Sequence, residues 1–345
     1  MARPEYLPDN FTLCLVGVVI LASMLPAHGR AMPALNWLTD LAIALLFFLH
    51  GAKLSRASVI AGATHWRLHL FILMSTFVMF PVFGMVLKPV LAPLVTPALY
   101  AGVLFLCTLP STVQTSVAFA SIAKGNVPAA VCSASASSLL GIFITPVLAG
   151  LLIAYQASHA DSGGSVWHTV GNITLQLLVP FVAGQLLRPV IGRWIDIHRA
   201  VLKIVDQGSI LLIVYGAFSE ASNEGLWHHT SLMALGGIVI VDVFLLCLAL
   251  GTTAFVSRRL GFSRPDQITI IFCGSKKSLA AGVPMAKVLF ASSALGAVVL
   301  PVMLFHQIQL MVCAALAQRW GRRDTGGEED GRPGTGKMSA FSQDD

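Results

Sequence analysis

Charge is the scarce ingredient of this sequence. Asp, Glu, Lys and Arg make up 11% of the 345 residues, where a soluble domain carries about 25%. The apolar runs leave no polar stretch long enough for a water-soluble domain, so a separate soluble catalytic or binding module is excluded. Cysteine is present, but never in a useful arrangement. Cys14, Cys107, Cys132, Cys247, Cys273 and Cys313 have no CxxC spacing and no His at metal-ligand distance. That argues against disulfides and zinc and for small buried hydrophobes. GxSxG and HExxH are missing as well, and with them the usual signatures of serine hydrolases and zinc peptidases. The one nucleophilic arrangement left is Ser275 or Ser278 beside Lys276, which would make an intramembrane hydrolase.

What is abundant is hydrocarbon: 56% of residues are hydrophobic and the mean hydropathy is +0.78. Crossing roughly 30 Å of lipid takes about 20 apolar residues, and such runs recur along nearly the whole chain. With polar, charged and Pro-rich clusters as breaks, helices are expected near 11–27, 35–52, 68–88, 98–123 and 127–155, then 167–188, 201–220, 231–257, 266–290 and 294–319. The fold class is an all-α polytopic membrane protein of ten spans. The first run, with mixed charges before it and only a weak cleavage site after it, reads as a retained helix and not a signal peptide. Residues 1–320 read as one integral membrane domain and 321–345, Gly-rich and polar, as a disordered cytoplasmic tail.

Ten spans put both termini on one side, and that side receives 15 of the Lys and Arg residues while the other receives only Arg30, Lys88 and Lys287. The asymmetry orients the termini to the cytoplasm in a cell's inner membrane. It also makes the net charge of +6 topological, leaving no call for a nucleic-acid partner. The bilayer is the evident partner, and the sequence does not fix an oligomeric state.

The two sets of five, about 11–155 and 167–320, read as an inverted repeat. Leu25 and Pro26 match the segment ending at Pro189, Asp40 matches Asp206, and Ser116 matches Ser278, at nearly constant offsets of about 163, 166 and 162 residues. The matched fourth helix of each set is interrupted. "LPSTVQTSVAFASIAKGN" holds Pro110, then Ser111, Thr112, Gln114, Thr115 and Ser116, and "CGSKKSLAAGVP" holds Gly274, then Ser275, Lys276, Lys277, Ser278 and Pro284. Hydroxyls, Gly and Pro at membrane depth are expected where a helix unwinds, with Pro110, Gly274 and Pro284 as hinges. The restarting half-helices offer free N–H groups suited to an anion.

These features, with the run "KGNVPAAVCSASASSLLGIFITPVLAGLL", resemble the bile acid:sodium symporter family over roughly residues 11–320, and most of all its little-characterised bacterial branch. The resemblance implies a panel of helices 1, 2, 6 and 7, a core in which helices 4 and 9 cross at their breaks, alternating access, and an organic anion as substrate. It carries the family's Ser-Asn pair near sodium onto Thr115 and Ser116, and the helix 5 ligands to the neighbourhood of Ala130 and Ala134, with Ser133, Ser135 and Ser137 beside them. In helix 9, where sodium-coupled members keep a glutamate and a Gln-Asn pair, this chain has Ile271, Ser275 and Lys276, with Lys277 following. Like charges about 4 Å apart repel by ~4 kcal/mol at an effective dielectric near 20. Sodium and a charged lysine should therefore not share this place, and the coupling ion, Na+ or H+, stays open. No cofactor is implied.

Lys276 and Lys277 lie about ten residues into their helix, roughly 15 Å along its axis, too deep to snorkel. Three roles compete: standing in for sodium at the crossing, pairing with a substrate carboxylate or sulfonate, or carrying a proton. The first two together suit the pattern best. Asp242, mid-span, is expected to pair with a helix 9 lysine or with His306. His306, Gln307 and Gln309 either line the cavity or make interhelical hydrogen bonds. Asp206 lies one turn into its helix, near the surface, and Glu220 and Glu224 read as solvated beyond a helix end. A non-transporting membrane scaffold is the main alternative function.

Overall fold

The computed structural model describes residues 10–29, 31–53, 65–91, 94–157, 166–223, 225, 231–290 and 292–329. Among them every element is helical and no strand occurs. In chain order they are α1 (Asn10–Met24), α2 (Ala31–Lys53), α3 (Trp66–Met74), a π-helical turn (Ser75–Met79), α4 (Phe80–Val86), α5 (Lys88–Leu91), α6 (Pro97–Thr108), α7 (Gln114–Ile122), α8 (Val127–Ala157), α9 (Val166–Ile197), α10 (Arg199–Asn223), α11 (Leu232–Arg259), α12 (Arg264–Gly274), α13 (Leu279–Leu289) and α14 (Ser292–Glu329). Six of the described helical runs are long and apolar enough to cross a membrane, with Trp66–Val86 counted as one.

The starts are written in the sequence. Thr96, Ser231 and Ser263 each accept a hydrogen bond from the backbone N–H three residues on, and Pro97 and Pro265 occupy first-turn positions where no N–H is needed. Three ends differ from expectation. α9 runs on through Pro189 to Ile197, nine residues past its expected end at 188. α14 runs to Glu329, so the segment expected to be disordered from 321 begins as helix, and 330–345 lies outside the described residues. α10 runs to Asn223, so Glu220 stands inside a helix; Glu224 lies outside the described residues.

Leu186, Val190 and Met233 are among many large apolar side chains left outward-facing. Water would penalise such a surface and lipid does not, so the chain is a membrane protein. The same fact corrects the reading of the cysteines as uniformly buried: Cys14 and Cys247 are exposed, because an outward side chain meeting lipid needs no core.

α2 and α9 pack at backbone contact. A Cβ added at Gly51 would stand 2.0 Å from the Phe181 carbonyl oxygen, and one at Gly184 would stand 2.0 Å from that of Phe48. Small residues that let helices close in this way are the usual adhesive where lipid removes the hydrophobic drive. Gly184→Ala should therefore force the pair apart and cost about 1–3 kcal/mol, read as a lower thermal unfolding temperature in detergent. Gly208→Ala, which meets nothing within 4 Å, should leave that temperature unchanged.

Two ion pairs stand at different joints. Lys53 of α2 pairs with Asp206 of α10, so Asp206 is tied to a neighbouring helix rather than left at the surface. Lys287 of α13 reaches Glu220 of α10 at 3.0 Å and Asn36 of α2 at 3.0 Å. Glu220 is thus paired and partly buried, not solvated, because α10 carries it past α13 instead of ending before it.

Candidate functional site: the joint of two broken helices

The chain leaves the helical path after Thr108 because Leu109 precedes Pro110, which pushes it into an extended conformation (φ −68°, ψ 150°). The second interruption follows Gly274, and residues 276–278 are non-helical before Ser278 caps α13 through the Ala281 N–H. Each break strands the last carbonyls of a half-helix inside the membrane, where every unpaired group costs several kcal/mol (about 2–7).

The two breaks supply each other's missing donors. At the end of α12, Ile271 O accepts from the Ser275 N–H and hydroxyl, Phe272 O from Ser116 Oγ (3.1 Å), Cys273 O from Ser111 Oγ (2.6 Å) and Gly274 O from Ser75 Oγ (2.9 Å). At the end of α6, Phe105 O accepts from Thr108 Oγ1, Leu106 O from the Leu109 N–H and Thr108 O from Thr145 Oγ1 (2.9 Å). Beyond it, Pro110 O takes the Ser278 N–H at 2.9 Å, while the Ser111 N–H donates to Ser137 Oγ (3.0 Å). Gln309 on α14 closes the second break, accepting from the Lys277 N–H (2.9 Å) and donating to Lys277 O (2.8 Å).

Cys107 O and Leu109 O are left over, and Lys277 takes both. Its Nζ donates to Cys107 O at 2.9 Å, Leu109 O at 2.8 Å and Thr76 O at 2.8 Å, which uses all three ammonium donors. The Phe80 ring lies 4.2 Å from the nitrogen, adding a cation–π contact. Thr76 O is available for a reason visible in the chain: in the π register it would accept from residue 81, and Pro81 has no N–H. A fully buried ammonium thus sits among carbonyl oxygens at the negative end of α6.

Lys276 is the opposite case. It too is fully buried, yet its Nζ has no hydrogen-bond partner, and what faces it is the Phe119 ring at 3.9 Å and the Phe272 ring at 6.0 Å. Asp242 on α11 is fully buried with no donor to either carboxylate oxygen, so the expected lysine or His306 partner is not found. His306 instead bonds through Nδ1 to Gln309 Nε2 at 2.9 Å, a contact within α14 that holds Gln309 in place beside Lys277.

The other expected residues divide. Ser116, Ser275 and Ser278 belong to the joint. Thr115 Oγ1 donates to Thr112 Oγ1 (2.8 Å), which pairs with Ser116 Oγ (2.9 Å), so the two residues onto which the family's pair near sodium maps join Thr112 in a relay ending on Phe272 O. Gln114 is exposed on the outer face of α7, since the helix turns it away from the joint. Ser135 is half-buried, and it is Ser137, two residues on, that reaches the break. Pro110 and Gly274 mark break ends, whereas Pro284 lies inside the continuous helix α13 and opens nothing. At the start of α13 the Lys277, Ser278 and Ala281 N–H groups are already paired. Ser137 and Gln309 are at the joint as neighbours of expected ligands, whereas Ser75, Thr76 and Thr145 were not among the expected site residues. Only Pro81, five residues after Thr76, signals one of them.

Interrupted membrane helices stitched together at their breaks, with an ionised side chain at the joint, define a membrane transporter. The chain belongs to the SBF-like CPA transporter family, whose model matches residues 9–322. It is 61% identical over 323 residues to an uncharacterised Pseudomonas aeruginosa protein, covering 94% of this chain and 96% of that one. It is 55% identical over 318 residues to the Escherichia coli protein named "Putative symporter YfeH" (91% and 93%). At 27% identity over 318 residues it resembles mouse sodium/bile acid cotransporter 7 (91% and 92%). The family is one of transporters and two of these relatives are named as a symporter and a cotransporter, so the chain is a transporter rather than an enzyme.

Proposed function

We propose that this protein is a secondary transporter of a small organic anion, working in a cell's inner membrane without sodium. The observation that carries the reading is the Lys277 ammonium, held by three carbonyls where the two breaks meet. A bound sodium ion would likewise be held by oxygens, and this place already has its positive charge. Lys276, buried and unpaired next to it, is the group left to meet a substrate carboxylate or sulfonate. Ten spans in two inverted sets of five, with residues 1–320 as one domain and both termini cytoplasmic, complete the proposal. α1, α2, α9 and α10 form the panel that moves against the rest.

On this reading the Lys287 bridge to Glu220 and Asn36 ties the moving core to the panel, at the end of α13 away from the basic side, and must break in every cycle. Replacing Asn36 and Lys287 by cysteines and joining them with a short bifunctional cross-linker should stop transport, and reversing the link should restore it. Undiminished transport by cross-linked protein would show that this end does not open.

The function itself is tested by uptake of a panel of labelled carboxylates and sulfonates, taurocholate among them, into proteoliposomes. Uptake of at least one anion, lost when the gradients are collapsed, is expected. No uptake, together with a stoichiometric partner bound to the cytoplasmic loops, would instead favour a scaffold.

A further inference from the structure

We propose that Asp242 carries the proton that couples transport, in place of the sodium that Lys277 displaces. The inference rests on the transporter reading and deepens it by naming the coupling ion. Asp242 lies mid-way along α11, fully buried, and its neighbours on that face, Ile238, Val241, Leu245 and Leu246, are buried and apolar. Neither carboxylate oxygen has a hydrogen-bond donor. The other acids held inside the structure do have partners: Asp206 has Lys53, Glu220 has Lys287, and Asp266 has Asn126 and Ser263. An ionised carboxylate with no donor is not sustained in such a core, so in this conformation the group is stable only while it holds its proton. Intramembrane acids of this kind are where proton relays of pumps and transporters are found.

The surroundings give the proton something to control. α11 packs against α12 and α14. The titratable groups those helices bring are Cys273 with Lys276 and Lys277 just beyond α12, and His306 and Cys313 on α14, with further charges only toward the helix ends. From α6, Cys107 is within electrostatic reach of both Asp242 and Lys277. The step is simple to balance. Where the other conformation admits water, the Asp242 carboxyl releases one proton to that water and becomes a carboxylate, and on return it takes one proton from the opposite side. The new negative charge lies beside Cys107, the residue whose carbonyl oxygen the Lys277 ammonium holds, so the proton and the joint meet at one residue of α6.

Two readouts test this. Infrared spectroscopy of the wild-type protein in lipid should reveal the C=O band of a protonated carboxylic acid, absent in Asp242→Asn and retained in Asp206→Asn. In sodium-free proteoliposomes, wild-type protein should accumulate labelled taurocholate under a pH gradient. Asp242→Asn should lose at least tenfold of that accumulation, yet still exchange labelled for unlabelled taurocholate across the membrane. A band that survives Asp242→Asn, or gradient-driven accumulation by that variant at the wild-type level, overturns the proposal while leaving the transporter reading intact. Wild-type protein that neither accumulates nor exchanges taurocholate, or any other anion of the panel, overturns both.

Discussion

Lys277→Ala is expected to abolish transport and to lower the unfolding temperature by more than any other substitution at the joint. The change leaves the carbonyls of Thr76, Cys107 and Leu109 buried without a donor. Each orphan costs about 1–3 kcal/mol, so the total is a large part of the roughly 5–15 kcal/mol that keeps a typical protein folded. The carbonyls would then surround a hole of about the size of the lost ammonium-bearing side chain. Ammonium or methylammonium added to purified Lys277→Ala protein should therefore raise its unfolding temperature toward that of the wild type, and the same salts should do nothing for wild-type protein. Lys277→Ala protein that melts and transports normally would remove the basis of the proposed function.

Lys276→Met should behave in the reverse way. Here the amino group has no acceptor, only aromatic faces, so burying it costs more than it returns. A thioether of similar length should fit between Phe119 and Phe272 and stabilise the fold by about 1–3 kcal/mol, as when buried charges are replaced by well-packed apolar groups. Anion uptake should nevertheless fall at least tenfold, because the substrate would lose its counter-charge. Opposite signs for stability and activity are the mark of a side chain kept for function. Thermal unfolding and initial uptake rates on the same preparation check it, and a loss of both would make Lys276 another structural cation like Lys277.

The boundaries of the helices were legible because each is punctuated locally. Thr96-Pro97, Ser231 and Ser263 announce starts, and Leu109-Pro110 and Gly274 announce breaks, all within a few residues of their observed places. That the two lysines lie deep was legible from their place about ten residues into an apolar helix. Their division of labour was not, since it depends on which carbonyls come within 3 Å of which nitrogen. Thr76 and Ser75 belong to α3 and its π turn, far from the breaks in sequence, and only the fold brings them there. Glu220 was misplaced for a smaller reason: the helix runs three residues further than the polar composition of "SEASN" suggested, carrying the carboxylate to Lys287. That Gln114 faces outward was not legible, because one turn of helix decides which way a side chain faces and an interrupted segment gives no periodicity from which to read that turn.

The most direct test of the central claim is the initial rate of anion uptake into proteoliposomes, with sodium on the outside replaced by choline at constant ionic strength and pH. On the proposed reading the Lys277 ammonium, held by three carbonyls, stands in the place of a sodium ion, so the same rate is predicted in both media. Uptake that rises with sodium and saturates would contradict it, since the joint would then have room for an ion that Lys277 is held to exclude.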